Sequence, residues 1–278
     1  MTPRPSVSVL MPVLNPHPVY FPQAVASVVG QTLTDWELVI VEDPSPSSAA
    51  ELLKPFAADP RIRLITNPGR TGLVAQRNRT LAEARADLVA MLDADDIALP
   101  DRLEKQAEFL RRHTEVAVVG CQLRVIDPAG GEVGYRSYPT SHDDILRTMS
   151  RYNAVAQPGV TARKDSLLRH GGYGFEWPAE DYDLWSRMLL AGERFANMER
   201  ALTLYRVHPG SGSKGTRVRE LLRLTTEVKR RYWRERMSWR DRLRFWGERG
   251  LRFVPPALVY RLFVALSYRR PVAPTAAR

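Results

Sequence analysis

Through its first 120 residues the chain alternates short apolar runs with stretches of helical periodicity, and no other feature narrows the fold as much. The runs at 7–14, 36–41, 62–65, 88–92 and 116–120 have the length of strands and are bounded by polar or turn-forming residues. Between them, residues 21–31, 49–57, 73–84 and 102–112 carry the spacing of amphipathic helices. That rhythm predicts an α/β domain with a mostly parallel sheet and helices on both faces. Three of the strands end in polar loops, at Asn15, at Glu42-Asp43 and at Asp93-Ala94-Asp95-Asp96. Gathered on one sheet edge, these loops are where such an architecture builds a ligand site.

After residue 120 the rhythm changes. Asp127-Pro128-Ala129-Gly130-Gly131 reads as a turn between two short strands. Helices are expected at 141–149, at 164–170 (stopped by Gly171-Gly172) and at 182–191, with strands at 159–162 and 201–207. A Gly/Ser loop at 209–215 has the composition of a mobile lid. The expected division is 1–213 for the α/β domain (1–120 and 121–213 as its halves) and 214–278 for a helical basic tail.

Charge sets the tail apart. Residues 214–278 hold 18 Lys/Arg against 5 Asp/Glu, whereas the other 213 residues hold 23 against 26, so the net +10 belongs to the tail. Residues 217–236 place Val218, Leu221, Leu222, Thr225, Val228 and Tyr232 on one stripe, and Trp233, Trp239 and Trp246 fall in the basic stretch around and after it. Basic helices with interfacial tryptophans suit an anionic membrane surface. The alternative is a helical appendage packed on the domain. Residues 254–266 are apolar but too short to span a bilayer. With no signal peptide legible and a single cysteine, Cys121, read as a buried apolar residue, the expected location is cytoplasmic, peripheral on the inner face of the cell membrane.

The carboxylates carry the chemistry. Mutually repelling anions at Asp93, Asp95 and Asp96 call for a positive partner, and hard Mg²⁺ or Mn²⁺ completed by substrate phosphates would supply one. Helix capping near Pro100-Asp101 is the competing role. Arg70, Arg77 and Asn78 lie at or near the start of the 73–84 helix, where phosphate binds well. Glu180-Asp181 is a second acidic pair, suited to deprotonating a hydroxyl or to stabilising the first turn of a helix.

Several ordered motifs resemble those of inverting family 2 glycosyltransferases: Ser8-Val9-Leu10-Met11-Pro12-Val13-Leu14-Asn15, Gln31-Thr32 with 36–43, Ala75-Gln76-Arg77-Asn78, Asp93-Ala94-Asp95-Asp96, Glu180-Asp181-Tyr182-Asp183-Leu184-Trp185 and Tyr205-Arg206-Val207-His208. They cover residues 6–213, about three quarters of the chain. The resemblance implies a glycosyltransferase-A (Rossmann-like) fold and a nucleotide-diphospho-sugar donor, UDP- or dTDP-linked. It implies a saccharide or lipid-linked acceptor in cell-surface polysaccharide or glycolipid synthesis. On the matching positions, Pro12, Asn15, Glu42, Asp43, Arg70, Arg77, Asn78, Asp93 and Ala94 would border the nucleotide, with Asp43 reading the base. Asp93 and Asp95, with His208, would hold the metal. Asp181 would be the catalytic base supported by Glu180, and Asp96 and Trp177 would meet sugar or acceptor. The family's usual Gly-Ser turn after the base-reading carboxylate is here Pro44-Ser45-Pro46, which stiffens that loop.

Two other readings compete. A nucleotidyltransferase would carry a Gly-rich, basic phosphate loop after the first strand, where this chain has Asn15-Pro16-His17-Pro18. An RNA-binding protein would use the basic tail and leave the carboxylates without a role. No nucleic-acid partner is expected.

Overall fold

The computed structural model describes residues 4–208, 217–251, 254–255 and 258–259. The expected lid at 209–215 and most of the 254–266 segment lie outside the described residues. Nine strands form one sheet in the order β3-β2-β1-β4-β8-β6-β9-β5, with β7 paired to β6. They are β1 (Val7–Leu14), β2 (Trp36–Asp43), β3 (Ile62–Thr66), β4 (Leu88–Met91), β5 (Ile97–Ala98), β6 (Val116–Ile126), β7 (Glu132–Arg136), β8 (Thr161–Arg163) and β9 (Arg194–Arg206).

β1, β2, β3 and β4 pair in parallel, as the strand–helix rhythm requires. Antiparallel pairing enters with β8, which runs against both β4 and β6. Two strands are longer than their apolar runs. β6 continues to Ile126 and β9 begins at Arg194, because they pair with each other in parallel over most of their length. Long-range pairing of this kind leaves little trace in local periodicity. The two-residue strand β5, after the acidic loop, is likewise held by its partner β9.

Alternation along the strands divides the core. Val7, Val9, Met11 and Val13 face one layer with Leu38, Ile40 and Ala90, whereas Leu10, Val39, Val89 and Met91 face the other. Helices α1 (Tyr20–Val29) and α4 (Arg102–Arg112) close the first layer through Phe21, Val25, Leu103 and Leu110. On the second, α3 (Leu73–Glu83) packs with α7 (Glu180–Leu190), whose Leu184, Trp185 and Met188 are buried. Shorter helices α2 (Ala49–Leu52), α5 (His142–Thr148) and α6 (Lys164–Arg169) fill the connections. Cys121 is a buried free thiol, as read from the sequence.

The tail is built onto this second layer. Helix α8 (Val218–Val228) leads through a π-helical turn, Lys229–Trp233, to α9 (Trp239–Gly250). Leu224, Val228, Trp233, Met237 and Phe245 share a core with Trp185 and Met188. The appendage therefore packs on the domain over the described residues, and the expected stripe is corrected. Leu224 is fully buried while Leu221 and Leu222 are half-buried. The wide π turn changes the angular register, which brings Trp233 inside.

One buried cation braces the sheet beneath the acidic loop. Arg102, 1% exposed, donates to the carbonyls of Pro158 (2.7 Å), Met91 (2.7 Å) and Val160 (3.1 Å) and to Gln106 Oε1 (3.1 Å). Replacing it by Met removes the guanidinium donors to the Met91 and Pro158 carbonyls, at about 1–3 kcal/mol for a buried acceptor left unsatisfied, whereas Val160 O keeps Met91 N (2.9 Å) and Gln106 Oε1 keeps Thr161 Oγ1 (2.7 Å). Arg102→Met is expected to lower the urea midpoint sharply, and an unchanged midpoint would remove Arg102 from this bracing role.

Candidate active site

The strand order reverses between β1 and β4, so their C-terminal ends open a crevice at a topological switch point. Asn15 follows β1 and adopts φ +50°, a left-handed conformation that Asn tolerates better than most residues. Its N–H donates to Ser45 Oγ at 3.0 Å, and Ser47 Oγ donates to the Pro16 carbonyl at 2.8 Å. The Pro44-Ser45-Pro46 departure thus produces a loop stitched across to the β1 loop. Between them lies a cleft of about 860 Å³ lined in part by Asn15, Tyr20, Ser45, Arg70 and His208. A smaller concavity of about 490 Å³ near Phe56 and Arg61 sits at the N-terminal ends of the strands, away from the carboxylates.

Asp43 and Glu42 close β2, and both are already engaged. Asp43, 1% exposed, accepts from Asn67 Nδ2 (2.6 Å), Thr71 N (2.8 Å), Thr71 Oγ1 (2.9 Å) and Gly72 N (2.8 Å). Burial opposes its ionisation, but the donors from Asn67, Gly72 and Thr71 prevail and hold its pKa below the ordinary value. It fixes the turn that carries Arg70 to the cleft. Glu42 Oε1 caps Ala49 N at 2.6 Å at the start of α2, where the Ser48 side chain makes no capping bond. The strand end reaches the helix N-terminus from within the core, where Glu42 is longer than the serine.

The acidic loop after β4 splits by depth. Asp93 and Asp95 are each about a third exposed, at 30% and 34% of their side chains. Asp95 Oδ2 lies 3.0 Å from His208 Nε2, so the His208 of the last motif meets the acidic loop. Asp96 is fully buried, and its Oδ1 accepts from Arg206 N at 2.8 Å. That placement corrects the expectation that Asp96 meets sugar: its carboxylate ties the loop to β9. Ala94 packs partly against the first core layer, and Pro12 is buried within β1, away from the cleft surface.

Arg77 is the hinge of the electrostatics. Only 6% exposed, it makes ion pairs with Asp93 Oδ1 (3.1 Å) and Glu180 Oε1 (3.2 Å), beneath the Tyr173 ring at 5.7 Å. Burial would favour its neutral form, yet Asp93 and Glu180 outweigh it and hold the guanidinium charged. The neighbouring Asn78 does not reach the cleft: its amide donates to Tyr173 O (2.8 Å) and accepts from Tyr173 N (2.9 Å). Expected near the nucleotide, Asn78 instead fixes the turn after Gly171-Gly172.

Glu180 and Asp181 open α7. Glu180 is 3% exposed, and its Oε2 has no hydrogen-bond partner among the described residues. Burial, opposed by Arg77, pushes Glu180 up to about 7. The same balance of burial against Arg77 raises Asp181 to about 6. Asp181, half-buried, accepts from Asn153 Nδ2 at 2.9 Å and from Tyr182 N at 2.7 Å. Asp183, also in the first turn of α7, is taken up by Arg187 (2.8 Å) and by Tyr232 Oη (2.8 Å). Trp177 lies in the loop before α7 with the Arg217 guanidinium 4.7 Å from its ring centroid.

Two contributors escaped the motif reading. Asn153 orients Asp181 from a loop without periodicity, and Tyr20 stacks on His17 at 3.8 Å beside the cleft. Only the position of His17-Pro18 after the first strand could have flagged the latter.

The residues suit a hard divalent cation. Among the described residues no group of three His, Cys, Asp or Glu side chains is placed to hold a metal ion, so the expected set of Asp93, Asp95 and His208 is not assembled as a three-ligand site. Two partly exposed carboxylates at a strand edge, with phosphate oxygens and water to complete the shell, is how Mg²⁺ usually binds.

An α/β sheet with its carboxylates at the switch point defines a glycosyltransferase-A fold, and solved structures agree. The mannosyltransferase PcManGT from Pyrobaculum calidifontis, solved with GDP-Man and Mn²⁺, superposes with a TM-score of 0.64 over 99% of this chain and 78% of its own, at 17% identity. S. aureus TarS superposes with a TM-score of 0.60 at 20% identity over 80% of this chain, which spans only 39% of that protein. Residues 8–170 match the model of Glycosyl transferase family 2, and the chain belongs to that family. The O-antigen biosynthesis glycosyltransferase WbnJ of Escherichia coli is 30% identical over 75% of this chain and 82% of its own. An E. coli UDP-Gal:alpha-D-GlcNAc-diphosphoundecaprenol beta-1,3-galactosyltransferase is 27% identical over 71% and 73%.

Proposed function

We propose that the chain is an inverting, metal-assisted glycosyltransferase. It takes a sugar from a UDP- or dTDP-linked donor to a hydroxyl of a saccharide or lipid-linked acceptor in cell-surface polysaccharide or glycolipid assembly. The observation that carries this reading is Arg77, which joins Asp93 at the cleft to Glu180 at the start of α7 in one buried ion-pair network. Two carboxylate sites far apart in sequence become two sides of one reaction centre. The named activities of WbnJ and of the galactosyltransferase support the pathway and the lipid-linked acceptor.

In this mechanism the cleft takes the nucleotide, with Arg70 at its wall and Asp43 holding the turn behind it. Asp93 and Asp95, with His208 beside Asp95, would hold Mg²⁺ or Mn²⁺, which supplies Lewis-acid stabilisation to the leaving diphosphate. Asp181 takes the proton of the acceptor hydroxyl as that oxygen attacks the anomeric carbon. The bond from that carbon to the diphosphate oxygen breaks on the opposite face, and its electron pair leaves with the diphosphate. Glu180 supports the acceptor, and Trp177 offers it an aromatic platform. We further propose that residues 214–278 form a separate functional unit, holding the enzyme to an anionic membrane surface on the cytoplasmic side. No helix of the described residues is long and apolar enough to cross a membrane.

Calorimetric titration of UDP, GDP and dTDP, with and without Mn²⁺, tests the donor site. One diphosphate is expected to bind in a Mn²⁺-dependent manner, weakened at least about tenfold by Asp95→Ala. No binding by any of the three would overturn the assignment.

A further inference from the structure

Helix α9 presents two faces of opposite character. Asp241 and Phe245 turn inward at 8% and 7% exposure, and Arg151 holds Asp241 at 2.7 Å. Lys229 pairs with Glu248 from the tail's own core, so both acids of α9 point away from the outer surface. On the other side Trp239, Leu243 and Trp246 are 67%, 64% and 62% exposed. Their spacing of four and three residues makes one continuous stripe along the helix. Arginines border it: Arg240 lies 5.2 Å from the Trp239 ring and Arg249 4.8 Å from the Trp246 ring, with Arg242 exposed between them.

We infer that this outer face of α9 is the membrane-contact surface, seated in the interface of a bilayer rich in anionic lipid. The inference rests on the proposed membrane attachment of the tail and assigns it to three side chains. Three large apolar groups exposed in line cost hydration unless something covers them, and scattered exposure does not produce such a line. Tryptophan and leucine with flanking arginines match the depth profile of a headgroup boundary: rings and aliphatic carbon below, guanidinium at the phosphates. Charge settles the lipid class. The face carries arginine and no acid, and the sequence from 251 to 278 adds Arg252, Arg261, Arg269, Arg270 and Arg278 without one Asp or Glu. A protein partner or a second copy of this chain would need a matching apolar, acidic surface. Within the described tail the other large exposed apolar residue is Leu258, at 53%, while those elsewhere, such as Val133 and Leu168, lie on the α/β domain.

The anchor also has a mechanical path to the reaction centre. α9 shares its core with α8 and α7, and α8 reaches the loop before the proposed base through Arg223–Glu176 at 3.0 Å and Arg217 over Trp177. An enzyme seated through α9 would hold that loop at a fixed relation to the lipid surface, as a lipid-linked acceptor requires.

Flotation of the full chain with vesicles of phosphatidylglycerol and phosphatidylcholine, against phosphatidylcholine alone, tests the assignment. The wild type is expected to float with the anionic vesicles and not with the neutral ones. The triple change Trp239→Ser, Leu243→Ser, Trp246→Ser should weaken partitioning at least about tenfold. Arg240→Gln with Arg242→Gln should weaken it about tenfold at 0.1 M salt, a difference that closes at 0.5 M. All these positions are exposed, and an unchanged melting curve and unchanged nucleotide titration show that fold and donor site are intact. If the wild type floats and the triple variant floats equally, the α9 assignment is overturned while attachment by the tail stands. If the wild type does not float with anionic vesicles, both fall. Equal flotation with neutral vesicles, or a dimer that the triple change dissolves, overturns the assignment as well.

Discussion

Asp181→Asn is expected to abolish sugar transfer while leaving nucleotide binding intact. The replacement keeps the shape of the side chain and one oxygen to accept from Tyr182 N or Asn153 Nδ2. What it removes is the capacity to take a proton. A positioned general base contributes about 10²–10⁴ in rate, so turnover should fall by that factor. Glu180→Gln should cost less, since Glu180 does not receive the proton in this scheme. The pH profile gives the independent check. Burial raises the carboxyls of Asp181 and Glu180 above the ordinary range, to about 6 and about 7, and a protonated base cannot accept the acceptor's proton. Wild-type kcat/KM should therefore rise with pH through about 6–7 and level off above. The residual activity of Asp181→Asn should lack the part of that limb due to Asp181. Retained turnover would move the role to another residue.

Trp233→Ala should be the most destabilising single change in the tail. Trp233 is 1% exposed, shares a core with Trp185 and Met188, and donates its indole N–H to Ser186 Oγ at 2.8 Å. Truncating a buried tryptophan costs about 3–5 kcal/mol through lost contacts and the cavity left behind. Ser186 Oγ also loses its donor, which adds about 1 kcal/mol. In a chain of this size the melting temperature should fall by about 10 °C. Trp246→Ala, at 62% exposure, should change it little. If the two substitutions behave alike, the tail is not packed on α7 as described. The result also bears on the reaction, because the helix that Trp233 braces carries Glu180 and Asp181 at its first turn.

The parallel half of the fold was legible because its signal is local. Strands β1 to β4 are predominantly apolar runs whose alternate residues enter two core layers, and the helices between them repeat at their own period. The acidic loop, the second acidic pair and His208 were legible as residue types in a fixed order. Less visible were contacts whose partners lie far along the chain. Nothing near Asp96 says that Arg206, 110 residues on, will bury its carboxylate. Nothing near Glu42 says that it, and not Ser48, will cap the next helix. Asn78 read as a ligand-binding residue because it follows Arg77, yet its amide is spent on Tyr173. In the tail, periodicity marked an amphipathic helix, but which of its leucines is buried was set by the packing of α8 on the domain, which takes Leu224 fully inside and leaves Leu221 and Leu222 half-buried.

Hydrophobic periodicity, strand-end polarity and charge segregation are properties of neighbouring residues, so the sequence by itself determined the α/β class, the edge where the carboxylates gather and the basic character of the tail. Which carboxylates stay at the cleft, which are buried as structural acceptors, and which tail tryptophans face outward depend on distant partners. The desolvation of an ionic group and the burial of a side chain are settled by everything packed around it, and only the tertiary structure brings Asp93, Arg77 and Glu180 into one network.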